Sequence, residues 1–134
     1  MNDQGEDVGR NFGVCVRRVP GKGRGVFAER RFAKDEVIER VPVLVASAAE
    51  VAHLDETQLA HYTYVWSGQT EAITFGYGLL YNHSYRPNAV YVRRMEAHLI
   101  DYIALRDIDL GEEVTVNYGG DPSSTDAVWF EVVE

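Results

Sequence analysis

Cysteine is almost missing from this 134-residue chain, with Cys15 the only one. A single thiol forms no internal disulfide and no cysteine-based zinc cluster. Its place in the apolar-alternating run Phe12 to Val16 suits a small hydrophobe better than a nucleophile. Long hydrophobic runs are also lacking. The longest nearly apolar stretch, Val41 to Ala49, is far short of the roughly 20 residues that a membrane span needs. The opening MNDQGEDVGR is polar and acidic, the reverse of a secretory leader, so the expected location is cytoplasmic and no membrane partner is expected. Basic charge is scarce near the C-terminus. In residues 101–134, Arg106 stands alone against Asp101, Asp107, Asp109, Glu112, Glu113, Asp121, Asp126, Glu131 and Glu134, and this segment accounts for the whole net charge of −8. Such a balance disfavours nucleic acid, which requires Lys and Arg to displace counterions, and favours a basic partner. A solvated acidic tail is the plainer reading of the same charges.

What is present suits one globular domain. Apolar residues make up 46% and charged residues 25%, which excludes a disordered chain, and the length suffices for a core. Residues 1–11 read as a flexible N-terminus and 12–134 as a single domain. Short runs rich in β-branched and aromatic residues predict strands at 12–17, 25–28, 36–40, 43–45, 72–75, 89–93, 98–105 and 113–118, punctuated by glycine and proline. Ser47 with Glu50 three residues later is a capping-box signature, and Val51, Leu54 and Leu59 extend a helix to about His61. The expected class is mostly β (α+β), with one or two short helices.

Three segments carry chemistry. In residues 18–38, Gly21-Lys22-Gly23-Arg24-Gly25 gives a backbone free to take positive φ and to let a ligand approach. It has neither dinucleotide-fingerprint spacing nor the Gly-Lys-Ser/Thr of a phosphate loop, and taken alone it reads first as a glycine-rich β-turn. In residues 76–91, Asn82-His83-Ser84 follows the apolar Leu79-Leu80-Tyr81, a placement in which polar side chains are held by internal hydrogen bonds or by a ligand. A lone structural histidine explains that motif as well. Residues 111–120, GEEVTVNYGG, join an acidic turn to an alternating strand, and Trp129-Phe130 stand as aromatic anchors in the closing segment 121–134.

Taken together, in this order and spacing, NHSYRPN and GEEVTVNYG after a glycine turn running into GVFA resemble the SET-domain protein lysine methyltransferases, over residues 14–131. The chain looks like a minimal, stand-alone SET domain, similar to those of bacteria and large viruses. The resemblance implies several small curved β-sheets around a C-terminal pseudoknot. It implies S-adenosylmethionine as methyl donor, bound by Lys22, Gly23 and Arg24 of the turn and by Asn82 and His83, with Trp129 covering the cofactor. It makes Tyr118 the catalytic tyrosine, itself beside the cofactor. Tyr62, with Tyr64 competing for the same position, and Tyr91 would wall a substrate-lysine channel, and Val116 would stand where other members limit how many methyl groups fit. A tyrosine at 91 would favour the lower methylation states.

The chain departs from the family pattern in three ways. Tyr85 replaces the cysteine that usually follows NHS, and the cysteine-rich zinc segments after and before the domain are absent. No metal is therefore expected, and Trp129-Phe130 are left to close the site. The implied activity is methyl transfer to the ε-amine of a lysine in a basic protein or peptide, by a monomer or homodimer. A catalytically silent SET-fold binding module is the alternative, and a non-lysine acceptor a third. The acidic residues Glu112, Glu113, Asp121 and Asp126 are expected to form a surface at the channel mouth that steers a basic substrate.

Overall fold

The computed structural model describes residues 5, 7–128, 130, 132 and 134. Ten strands form two sheets. One is six-stranded and built around β4 (Val37–Ala46), with β9 (Leu99–Ala104) and then β8 (Ala89–Arg94) on one side. The other side of β4 carries β1 (Arg10–Asn11) along its first half and β6 (Glu71–Thr74), then β5 (Tyr64–Val65), along its second. The second sheet runs in the order β2 (Val14–Val19), β3 (Gly23–Ala28), β10 (Glu113–Val116) and β7 (Asn82–His83). β7 and β10 are parallel, pairing Asn82 with Thr115 and His83 with Val116. This pairing joins the NHS and GEEVTVNYG motifs side by side, although the paired residues stand more than thirty positions apart in the chain.

The sequence divides the middle of β4 at Pro42, whereas the structure carries the strand through it. Proline cannot donate to a ladder and is tolerated where no acceptor faces it. The Val43 N–H bonds His98 and the Pro42 carbonyl accepts from Phe75, so the missing Pro42 donor faces the gap between the start of β1 and the end of β6. A β-bulge between Val37 and Glu39 then places Ile38 and Glu39 in succession in the interior.

The capping box forms as expected: the Ser47 side chain accepts from the Glu50 N–H, and the Glu50 carboxylate accepts from the Ser47 N–H. The helix it starts, α1 (Ala48–Leu54), is shorter than the spacing predicts. Thr57 ends it by donating its hydroxyl to the Leu54 carbonyl, and its oxygen then caps a separate 3-10 turn, Gln58–His61, by accepting from Leu59. This local competition by a threonine hydroxyl is invisible to apolar periodicity.

The core lies between the sheets and includes Val26, Phe32, Ile38, Val41, Ile100, Val114 and Val116, all fully buried. Tyr81 and Tyr102 stack within it, centroids 4.1 Å apart and planes at 15°. Such a pair contributes about 0.5–1.5 kcal/mol beyond its buried area. On the other side of β9, the fully buried Asp101 is held by a bidentate Arg40 at 2.6 and 3.0 Å and by Arg94 at 3.1 Å.

Candidate active site

Two cavities flank the parallel β7–β10 pair. One, of about 480 Å³, opens beside the glycine turn and is lined by Lys22, Gly23, Arg24, Asn82, His83 and Phe130 among others. The second, of about 610 Å³, opens beside the 3-10 turn and β5 and is walled by Tyr62, Tyr64, Tyr91, Gly78, Tyr81 and Asp121 among others. His61, Tyr62, Leu79 and Tyr118 line both. The cavities therefore meet across a common wall, and Tyr118 is part of it.

The glycine-turn cavity is polar and preorganised. Gly21 and Gly23 take positive φ, as the sequence expects. Lys22 Nζ pairs with Glu113 at 3.1 Å, the two side chains 12% and 16% exposed. The Asn82 amide donates to the Arg24 carbonyl and to the other Glu113 oxygen, each at 2.7 Å, which uses both of its protons and leaves Oδ1 as its accepting end. Gly25 makes this cluster possible. A Cβ there would lie 2.5 Å from Glu113 Oε2 and 2.9 Å from Asn82 Nδ2. Glu113 reads from sequence as part of an acidic surface; the antiparallel register that sets it opposite Phe27 turns it inward onto Lys22 instead.

His83 is 1% exposed. Its Nδ1 accepts the Tyr118 N–H at 3.0 Å, while Nε2 is buried without a partner among the described residues. Burial holds its pKa below the usual histidine value, opposed by the Glu134 carboxylate, so the ring is neutral near pH 7 with Nε2 as the remaining donor. The parallel pairing to Val116 fixes this geometry by bringing the Tyr118 amide over the imidazole. Of the seven residues expected around a cofactor, Lys22, Gly23, Arg24, Asn82, His83 and Tyr118 line this one cavity. Trp129 lies outside the described residues. Its neighbour Phe130 sits with its ring 6.4 Å from His83 and 6.1 Å from Tyr118.

The second cavity is phenolic, and the Tyr118 and Tyr64 hydroxyls converge on one turn. Tyr118 donates to the Tyr81 carbonyl at 2.8 Å and Tyr64 donates to the Gly78 carbonyl at 2.6 Å. Tyr102 sits behind Tyr64, hydroxyl to hydroxyl at 2.7 Å, and Tyr91 donates to the Tyr118 carbonyl at 3.3 Å. Tyr64 and Tyr91 also meet edge to face, centroids 4.8 Å apart. Burial, then the neighbouring Tyr62 and Glu113, pushes the Tyr118 phenol up to about 12, and burial raises Tyr64 and Tyr91 as well. These groups stay protonated at neutral pH and act as hydrogen-bonding walls rather than as bases.

Both tyrosines that compete for one channel position line the cavity, with Tyr62 at the shared wall and Tyr64 deeper. Val116 is not brought there. It is fully buried in the core, because the alternation of β10 turns it away from both cavities. The expected acidic mouth is also corrected. Glu112 is engaged by Arg106 at 2.8 Å and by Asn88, and Glu113 faces Lys22. Asp126 lines neither cavity, and of the four only Asp121 does. The acidic excess of the sequence is mostly paired or points elsewhere. His61 and Leu79 also line both cavities without a signal in the sequence, whereas Phe130, one of the two aromatics expected to close the site, lines the glycine-turn cavity.

Comparison with known proteins shows the family. The SET domain family model matches residues 23–119. A fission yeast (Schizosaccharomyces pombe) protein, the H3 lysine-37 specific histone-lysine N-methyltransferase, is 37% identical over 117 residues, covering 87% of this chain and 76% of that protein. The Drosophila melanogaster histone-lysine N-methyltransferase Set8 is 33% identical over 122 residues, which are 80% of this chain and 18% of the fly protein. A Plasmodium falciparum crystal structure, of a protein described as a candidate histone methyltransferase, superposes with a TM-score of 0.67 at 26% identity, covering 81% of this chain and 95% of that one. The chain belongs to the SET-domain family of protein lysine methyltransferases.

Proposed function

We propose that this protein transfers a methyl group from S-adenosylmethionine to the ε-amine of a lysine in a basic protein, histones being the first substrates to test. The observation that carries the reading is the meeting of two chemically opposite cavities at Tyr118. The glycine-turn cavity fits an amphoteric amino-acid end: Lys22 offers a cation to a carboxylate, and Asn82 Oδ1 offers an acceptor to an ammonium. The orphaned His83 Nε2 offers a donor to a polar edge further along. When bound, S-adenosylmethionine supplies an electrophilic methyl on a sulfonium.

The protein's own residues supply alignment and dryness. An in-line displacement is accelerated chiefly by holding the two reactants end to end and excluding water. Lysine attacks as the neutral amine, and the phenolic walls of Tyr62, Tyr64 and Tyr91 disfavour its charged form on entry. Tyr118, kept protonated and anchored on the Tyr81 carbonyl, presents a fixed oxygen at the common wall, where it orients the amine. Aromatic faces then accommodate the cationic methylammonium product. Tyr91, tied to the Tyr118 carbonyl, narrows the cavity at that point and favours the lower methylation states.

The names of the yeast and fly relatives support a histone lysine as acceptor, and the chain's net charge of −8 suits a basic substrate. The test is incubation with labelled S-adenosylmethionine and a panel of histones and other basic proteins, with mass spectrometry to locate the modified residue. Label on a lysine ε-amine is the expected result. Tight cofactor binding with no acceptor labelled would instead mark a silent binding module.

A further inference from the structure

Glu39 is a buried carboxylate that no cation serves. It is 3% exposed, and none of the ion pairs among the described residues includes it. Asp101, one strand away, is buried equally deeply and is held by two guanidiniums. Removing a carboxylate from water without a counter-charge is costly unless hydrogen bonds compensate it. The cost is visible here, since burial raises the Glu39 pKa above the usual carboxylate range despite two hydrogen bonds that lower it. Hydrogen bonds from the protein are therefore what compensates this carboxylate.

What it holds is the turn that carries the active-site carbonyls. Glu39 Oε2 accepts the Tyr77 N–H at 3.0 Å, and Oε1 accepts the Tyr81 hydroxyl at 2.7 Å. The two oxygens thus pin residues 77 and 81, the ends of one short turn. Between and at those ends lie the Gly78 carbonyl, which receives the Tyr64 and Tyr102 hydroxyls, and the Tyr81 carbonyl, which receives Tyr118. The β-bulge at Ile38 aims Glu39 inward, directly across the ladder from Tyr102. The fit is close. Gly76 begins the turn at φ +61°, and a Cβ there would sit 2.5 Å from Glu39 Oε2. Glu39 lines neither cavity, and its hydrogen bonds go to Tyr77 and Tyr81 rather than to the glycine turn.

We propose that Glu39 is the positioning residue of the methyl-transfer channel: through Tyr77 and Tyr81 it fixes the 76–81 turn, and through the Tyr81 carbonyl it sets where the Tyr118 hydroxyl stands. The proposal rests on the function given above, for which Tyr118 is the group that touches the reacting amine. A substrate misplaced by about 1 Å costs on the order of 100-fold in rate, so a turn that relaxes is felt as lost turnover.

The test uses three variants on the full chain: Glu39→Gln, which keeps shape and one acceptor, Tyr81→Phe, which removes only the hydroxyl donated to Glu39, and Tyr118→Phe as reference. Cofactor-free protein is first compared by hydrogen exchange. Glu39→Gln is expected to raise exchange in segment 76–83 and leave the 20–25 turn at the wild-type level. With cofactor, its Kd for S-adenosylmethionine should stay within about twofold, while kcat for lysine methylation falls about 10- to 100-fold. Tyr81→Phe should show the same pattern, smaller. Faster exchange throughout the molecule, or kcat and cofactor Kd lost in parallel, would reduce Glu39 to a structural residue and overturn the proposal. So would wild-type kcat and local exchange in Tyr81→Phe if Glu39→Gln fails to fold. Wild-type protein that methylates nothing, with exchange changed locally as expected, would contradict the enzymatic reading alone and leave the positioning of Tyr118 standing.

Discussion

On the glycine-turn side of Tyr118 the lining is ionic and amide-rich, with Lys22 and Asn82 both bonded to Glu113 and His83 Nε2 without a partner among the described residues. On the other side four phenols point their hydroxyls at backbone carbonyls, and Asp121 and Arg93 are the charged side chains in the wall. On the function proposed above, the first surface suits a ligand with charges of both signs, and the second suits a side chain that has given up its charge. On that reading the difference assigns affinity for the cofactor to the ion pair and amide, and rate to the phenols.

Substitutions on the two sides should therefore separate Kd from kcat. Tyr118→Phe removes the hydroxyl at the common wall and should lower kcat on the order of 100- to 1000-fold with cofactor Kd little changed, as measured by methyl incorporation and calorimetry. Equal losses in both would break the division. Asn82→Ala unties both the Arg24 carbonyl and Glu113, and should raise the cofactor Kd about 10- to 100-fold. Glu113→Gln keeps the shape but loosens Lys22, and a smaller rise in Kd, about threefold to tenfold, should shrink further in high salt. A salt-independent effect would show that the pair works by shape rather than by charge.

The smallest effect is one of pH. The His83 pKa is lowered in the folded protein by burial, so the folded state binds this proton less readily than the unfolded chain does. Its contribution to stability is present above the ordinary value of 6.5 and is lost as pH falls toward the folded value. Wild-type Tm should drop on acidification below about pH 6.5, by more than the Tm of His83→Asn drops. Parallel curves for the two proteins would mean that His83 is solvated and that its unpartnered nitrogen faces water.

The cofactor side was the more legible in the sequence, and for a physical reason. Glycine turns and an Asn-His pair beside apolar residues are backbone-level requirements, and they read locally. Tyr118 and the candidate wall tyrosines were legible through the motif order, and the capping box through Ser47 and Glu50. The rest depends on register. Glu113 looks like surface charge until β10 is set against β3, and the face that Glu39 takes depends on a bulge that the strand pattern does not announce. Val116 shows the reverse case, since its position along the motif suggests a channel while the strand's alternation sends it to the core. Pro42 and Thr57 mislead because their effect depends on which partner lies opposite, which no single segment states.

The central claim is that two molecules enter from opposite cavities and meet at Tyr118. A crystal structure with S-adenosylhomocysteine and a lysine-bearing histone peptide tests it most directly. The account predicts the cofactor product on Lys22, Asn82 and His83, and the lysine Nζ arriving past Tyr62 and Tyr91 to lie within hydrogen-bonding distance of the Tyr118 hydroxyl. A lysine seated in the glycine-turn cavity, or held on the surface away from Tyr118, would contradict it.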